Sequence, residues 1–170
     1  MAESDKPVFL VDAYSDPAVV RIEGRACFQN SGCLKDFIGG MVAQGKTRFV
    51  LDFQHCSSMD STFLGVLAGA ALKLRKATDG KGQFVLARVG QRNLELIRNL
   101  GLHRLMTVDA GDFRMNFDKC DHALTQAQQD ELSNARMVLE AHENLISADE
   151  GNRSKFQDVL AFLKNRVEHK

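Results

Sequence analysis

Between Arg48 and Val108 the chain alternates short apolar runs with striped helical segments, and this alternation restricts the fold more than any other feature. Arg48–Phe53 (RFVLDF) has the apolar run of a strand covered on both faces. Ser61–Ala77 follows, with Leu64, Leu67, Ala71 and Leu74 on one helical face. Gln83–Ala87 (QFVLA) is a second short strand, and Gln91–Leu100 a second helix with Leu94, Ile97 and Leu100 inward and Gly101 as its C-cap. Leu105–Val108 closes the series as a last strand. Strands separated by helices cannot pair as hairpins, so these units predict a mostly parallel sheet.

The preceding segment differs. Val8–Ala13 and Ala18–Glu23 are two strands separated by the Ser15-Asp16-Pro17 turn, an antiparallel start that ends at Gly24. Asn30–Gln44 is a helix with Leu34, Phe37, Ile38, Met41 and Val42 at helical intervals, and Asn30 or Ser31 is its N-cap. Glycines at 39 and 40 weaken it by about 1 kcal/mol each, which predicts close packing there. Gly65, Ala68, Gly69 and Ala70 likewise thin the second helix, so a neighbour is expected to approach it closely.

Beyond Asp109 the pattern changes. Asp109–Asp121 is irregular or weakly helical. Thr125–Ser147 then fits a long amphipathic helix, Ala148–Asn152 a break, and Ser154–Val167 a second helix striped by Phe156, Val159, Leu160, Leu163 and Val167. The pair reads as an αα-hairpin. Its stripes leave two uses open, packing within the chain or a homodimer or partner surface. His142, on the apolar side of the first helix, reads as a half-buried structural residue. The organisation expected is a domain over residues 1–118 and a helical extension over 119–170.

Composition removes several function classes. The 22 basic residues balance the 22 acidic ones, so no net field favours nucleic acid or an anionic membrane. The longest small-and-apolar run, Phe63–Leu72, is about half of the ~20 residues a spanning helix needs. The acidic opening MAESDKPVFLVDA is not patterned as a signal peptide, so a cytoplasmic location is expected. Cys27, Cys33, Cys56 and Cys120 lack paired spacing and read as reduced thiols, and neither they nor His55, His103 and His122 have zinc-ligand spacing. Gly80-Lys81-Gly82 is a strand-entry turn outside any phosphate-loop frame. Ser61 and His55 lack the G-x-S-x-G setting of a hydrolase nucleophile. These readings call for no metal, no cofactor and no enzyme activity.

The stretch Val50-Leu51-Asp52-Phe53, Ser58-Met59-Asp60-Ser61-Thr62, Leu64-Gly65-Val66-Leu67 resembles the signature of the STAS family, the anti-sigma-factor antagonists and the cytoplasmic domains of sulphate transporters. Val89–Val108, with Gly101-Leu102, is similar to the family's third unit, and the resemblance spans about residues 8–110. It implies a mixed, mostly parallel sheet of about four to five strands with helices, here followed by the αα-hairpin. It also implies that Ser61 is phosphorylated by a partner that is both serine kinase and anti-sigma factor, and that a phosphatase restores it. Two places depart from the family pattern. Phe63 stands where glycine is usual, and Gly24-Arg25-Ala26-Cys27 lacks the acid of G-E-L-D. The docking surface implied is Met59, Asp60, Thr62, Phe63 and Leu64, with Arg25 and Cys27 from the loop Gly24–Phe28. The alternative is a constitutive scaffold or accessory subunit, in a stress-signalling or lipid-transport complex, without phosphorylation.

Overall fold

The computed structural model describes residues 7–109, 115, 117–126 and 129–168. The acidic residues 1–6, and 110–114 and 116 of the stretch read as irregular, lie outside the described residues. One six-stranded sheet has the order β5-β4-β3-β2-β1-β6. Its strands are β1 (Phe9–Asp12), β2 (Ala18–Ala26), β3 (Arg48–Met59), β4 (Gln83–Ala87), β5 (Thr107–Val108) and β6 (His122–Ala123). β1 pairs antiparallel with β2 and β6, while β2, β3, β4 and β5 run parallel. The helices are α1 (Ser31–Ala43), α2 (Ser61–Ala77), α3 (Gln91–Asn99), α4 (Glu131–Ala148) and α5 (Arg153–Glu168). The expected α/β architecture with a mostly parallel sheet and a C-terminal helical hairpin is therefore present.

Alternation along the strands sorts the core into two faces. Phe9, Val11, Val20, Ile22, Phe49, Leu51, Phe53, Phe84 and Leu86 face α1, α2 and α3, whose Leu34, Ile38, Leu64, Leu67, Leu94 and Ile97 complete the main cluster. Val19, Val50 and Ala87 point to the opposite face and are covered by Phe117 and Cys120. The central strands are thus buried on both sides, as their unbroken apolar runs require.

Several boundaries differ from the sequence expectation. β2 continues past Glu23 to Ala26 and β3 past Phe53 to Met59, so the serine-rich stretch is largely strand rather than loop. Register shifts between Arg21 and Glu23 and between Gly24 and Arg25 let the pairing run on, ending with Arg25 opposite Ser58 and Ala26 opposite Met59. Gly24 takes φ +111, where a side chain would be strained. Residues 122–123, placed with the extension, add β6 to the sheet edge beside β1. α4 begins at Glu131 instead of Thr125, because Asp130 caps it by accepting from the Ser133 amide at 2.7 Å.

The hairpin covers the domain. Leu145 is fully buried in the main core. A Cβ on Gly65 would lie 2.5 Å from the Ala141 carbonyl carbon and 2.7 Å from its Cβ, so α4 crosses α2 backbone against backbone. One turn on, Gly69 lies against the side-chain amide of Asn144. The close neighbour expected at Gly65 and Gly69 is α4. In α1, by contrast, Gly39 meets only the end of Lys73, and Gly40 has open space, so the packing predicted there is absent.

Candidate functional site

α2 starts where β3 ends, at the rim of the sheet formed by the C-terminal ends of β2 and β3. Asp60 is its N-cap in extended conformation. One carboxylate oxygen accepts from the Phe63 amide at 2.9 Å, which satisfies an orphan donor of the first turn. The other accepts from the Phe28 amide at 2.8 Å, fastening the β2–α1 loop to the helix start. Asn30 accepts from the Cys27 amide at 3.0 Å and donates to the Arg25 carbonyl at 2.8 Å, so the loop is closed on itself. Asn30 is the N-cap residue of α1 by position, but its side chain is spent on this loop. The α1 amide of Cys33 is instead bonded by the Gln126 side chain at 2.8 Å.

Ser61 is the first residue of α2 and is half-buried. Its Oγ lies 2.8 Å from Nε2 of His142 on α4. His142 is 3% exposed, and its Nδ1 is 2.7 Å from the Val138 carbonyl one turn earlier. A carbonyl only accepts, so Nδ1 carries a proton. In the neutral ring Nε2 then accepts the Ser61 hydroxyl proton. The Phe156 ring meets the imidazole edge-on at 4.9 Å and fixes its other side. The histidine read as half-buried is therefore the polar partner of the serine that the motif singles out, whereas His55 is exposed on β3. No local spacing reveals a pair 81 residues apart. The tight α2–α4 crossing creates it.

The remaining site residues divide sharply. Arg25 is exposed, Met59 and Asp60 are half-buried, and Phe28 and Ser57 add exposed surface to the same rim. Thr62, Phe63, Leu64 and Cys27 are not on that rim: all four are at most 5% exposed. Phe63 stacks on Phe9 with ring centroids 6.1 Å apart and meets Phe53 edge-on at 6.3 Å. The bulky ring expected to meet a partner fills the core between α2 and the sheet instead, since it projects from the helix face that carries Leu64 and Leu67.

The motif aspartate on β3, Asp52, is 1% exposed and is paired with Arg88. Arg88 Nε donates to it at 2.8 Å, and its guanidinium lies over the Phe117 ring at 4.8 Å. The bond to Asp52 is the main reason the Arg88 pKa is raised. Arg88 adopts φ +56, in the left-handed region. Burial pushes the Cys56 and Cys120 thiols up to about 11. Among the described residues no group of three or more His, Cys, Asp or Glu side chains could hold a metal ion, and no helix is long and apolar enough to cross a membrane.

Comparison with known proteins identifies the family and the fold. The family model described as "Mlab, STAS domain" matches residues 9–108. The solved structure of a putative anti-sigma factor antagonist from Thermotoga maritima is 18% identical, covers 59% of this chain and 85% of its own, and superposes with a TM-score of 0.50. The Bacillus cell fate determinant SpoIIAA, in its phosphorylated form, is 22% identical over 61% of this chain and 92% of its own, also at 0.50. At these identities the structural likeness establishes the fold. No curated protein matches the sequence closely enough to count as a relative. The family match spans more than half of the 170 residues, β1 through β5, and includes Asp52, Asp60 and Ser61: the chain belongs to the STAS family.

Proposed function

We propose that this protein is a cytoplasmic, non-enzymatic regulator that acts by binding a protein partner at the β2–β3 rim, and that Ser61 is its phosphorylation site. The carrying observation is the placement of the Ser61 hydroxyl: half-exposed, first in α2, directly after the Asp60 cap and beside the exposed rim of Arg25, Phe28 and Ser57. A serine kinase that is also an anti-sigma factor is the partner this reading names. It would transfer the γ-phosphoryl group of a nucleoside triphosphate to Ser61 Oγ, breaking the bond to the β-phosphate oxygen as the hydroxyl proton leaves to a base. The phosphate would then stand at a helix N-terminus, where unpaired amides and the dipole favour an anion, so the helix would persist while its surface changed. A dianion of about −1.5 to −2 charges at a contact arranged for a neutral hydroxyl weakens binding, and a few kcal/mol there is two or more decades in affinity. A phosphatase would reverse the change.

Intact-mass analysis of the protein purified from its native cells, with and without phosphatase treatment, tests this reading. A phosphate that maps to the Ser57–Thr62 peptide and disappears in Ser61→Ala is expected. No phosphate in any growth condition, or equal phosphate in the alanine variant, refutes it. The seating of α4 on α2 favours a second reading, a constitutive accessory subunit whose Ser61 serves only to hold α4. Under that reading a partner co-purifies with wild-type and Ser61→Ala protein to the same extent in every condition.

A further inference from the structure

We propose that Ser61 and His142 form a latch between α2 and α4, so that occupying the Ser61 oxygen with phosphate loosens the hairpin. The regulatory part of this inference rests on the phosphorylation proposed above; the latch itself does not. With Nδ1 turned to the Val138 carbonyl, the neutral ring accepts the Ser61 hydroxyl at Nε2. Phosphorylation consumes that hydroxyl hydrogen. The ester oxygen can only accept, so the hydroxyl-to-Nε2 bond cannot re-form at a ring that is 3% exposed. Rotating the phosphate outward abandons Nε2, while leaving it inward sets a dianion in a gap sized for one hydrogen bond at 2.8 Å. One turn further on Gly65 packs directly against Ala141, so α4 cannot withdraw from Ser61 without giving up that contact as well. Both routes weaken the α2–α4 contact.

The hairpin is loosened and not shed, because it is anchored elsewhere. Lys35 pairs with Glu140 at 3.0 Å, and Asn152 donates to the Leu100 carbonyl at 2.9 Å and to the Leu145 carbonyl at 2.8 Å. Leaving one buried polar group unmet shifts the open-to-docked ratio of α4 by about ten- to a hundredfold. Linkage makes the effect reciprocal: a docked α4 disfavours the phosphorylated state by the same factor. The hairpin would therefore set the threshold at which Ser61 is modified, and phosphorylation would uncover the α2 face on which α4 now rests.

Native-state hydrogen exchange read by mass spectrometry on the full chain tests the latch without a kinase. Ser61→Ala should raise the opening constant of α4 about ten- to a hundredfold while the amides of β3 stay protected. His142→Phe keeps a ring against Phe156 and removes the orphaned nitrogen. Adding it to Ser61→Ala should bring α4 exchange back to within a few-fold of wild type. Unchanged α4 exchange in Ser61→Ala, or purely additive effects in the double variant, would overturn the latch. If both variants behave as expected but stoichiometrically phosphorylated protein shows wild-type α4 exchange, the coupling to phosphorylation is overturned. Absence of phosphate from native protein would instead defeat the functional reading and leave the latch standing.

Discussion

Gly65→Ala separates the two helices that define the site while leaving each of them intact. Within α2 alone, alanine in place of an interior glycine favours the helix by about 1 kcal/mol. Against α4 the same methyl is obstructed. It would lie 2.5 Å and 2.7 Å from the carbonyl carbon and Cβ of Ala141, where apolar contacts settle at about 3.5–4.0 Å. The obstacle includes backbone, so no rotamer change relieves it, and α4 must withdraw by roughly 1 Å or more. Overpacking of this kind costs about 1–3 kcal/mol, here at the upper end. The same withdrawal stretches the Ser61–His142 bond beyond hydrogen-bond range, adding about 1 kcal/mol. After the helix-propensity gain, a net loss of about 2–3 kcal/mol is expected, a fall in Tm of roughly 4–12 °C for a chain of this length. Thermal unfolding followed by circular dichroism gives the shift, and hydrogen exchange assigns it to α4. Gly40→Ala is the control, since its Cβ meets nothing within 4 Å and the change should stabilise by about 0.4–1 kcal/mol. If Gly65→Ala is as stable as wild type or more so, α4 does not rest on α2 and the account of the site fails.

The other predictions concern the groups that hold the site in place. Asp60→Ala removes both the α2 cap and the tie to Phe28, so a loss of about 1–2 kcal/mol and faster exchange of the Phe28 amide are expected; Asp60→Asn should fall between, and equal exchange in all three proteins would contradict the dual role. Asn152→Ala leaves the Leu100 and Leu145 carbonyls without the amide they share and should cost about 2–3 kcal/mol in denaturant unfolding, whereas a loss below 0.5 kcal/mol would mean that water replaces the amide. The Cys56 and Cys120 thiols, at about 11, stay protonated at pH 8 and should resist iodoacetamide while the protein is folded. Because their folded pKa lies above the ordinary value of 9.0, their share of stability is complete below pH 9 and is lost as pH rises toward 11.

Elements whose pattern is local were legible in the sequence. α2 runs from Ser61 to Ala77 as its leucine stripe and the serine-rich start require, because an N-cap and a 3.6-residue period are properties of the segment itself. The thinned face of Gly65 and Gly69 also announced a close neighbour, although not which one. What escaped depends on pairing. Ser57 and Ser58 have weak strand preference and join β3 only because β2, bent at Gly24, lies alongside. β6 is two residues long and is a strand only by virtue of the β1 edge. Phe63 follows the motif hydroxyls, which suggested a surface position, yet in a helix the residue two places after an outward side chain turns toward the opposite side. His142 could be placed on an apolar stripe but not opposite Ser61, because that distance is set by how α4 crosses α2.

The places where this chain differs from the family pattern bear on one question, what can reach α2. Phe63 builds its ring into the core against Phe9 and Phe53, so the position usually held by glycine offers no recess to a visitor. Gly65 remains a glycine, and its bare backbone receives Ala141 of the same chain. Arg25 and Cys27 replace the acidic end of the β2 loop, one exposed and cationic, the other buried. The result is a rim of opposite charge character beside a helix face that is already occupied. If the rim is the docking site proposed above, specificity rests on Arg25, Phe28 and Ser57 to Asp60, and α4 would decide whether the binding surface extends along α2. Charge reversal at Arg25 would in that case change which partner binds without altering the fold, because the side chain is exposed and forms no ion pair among the described residues.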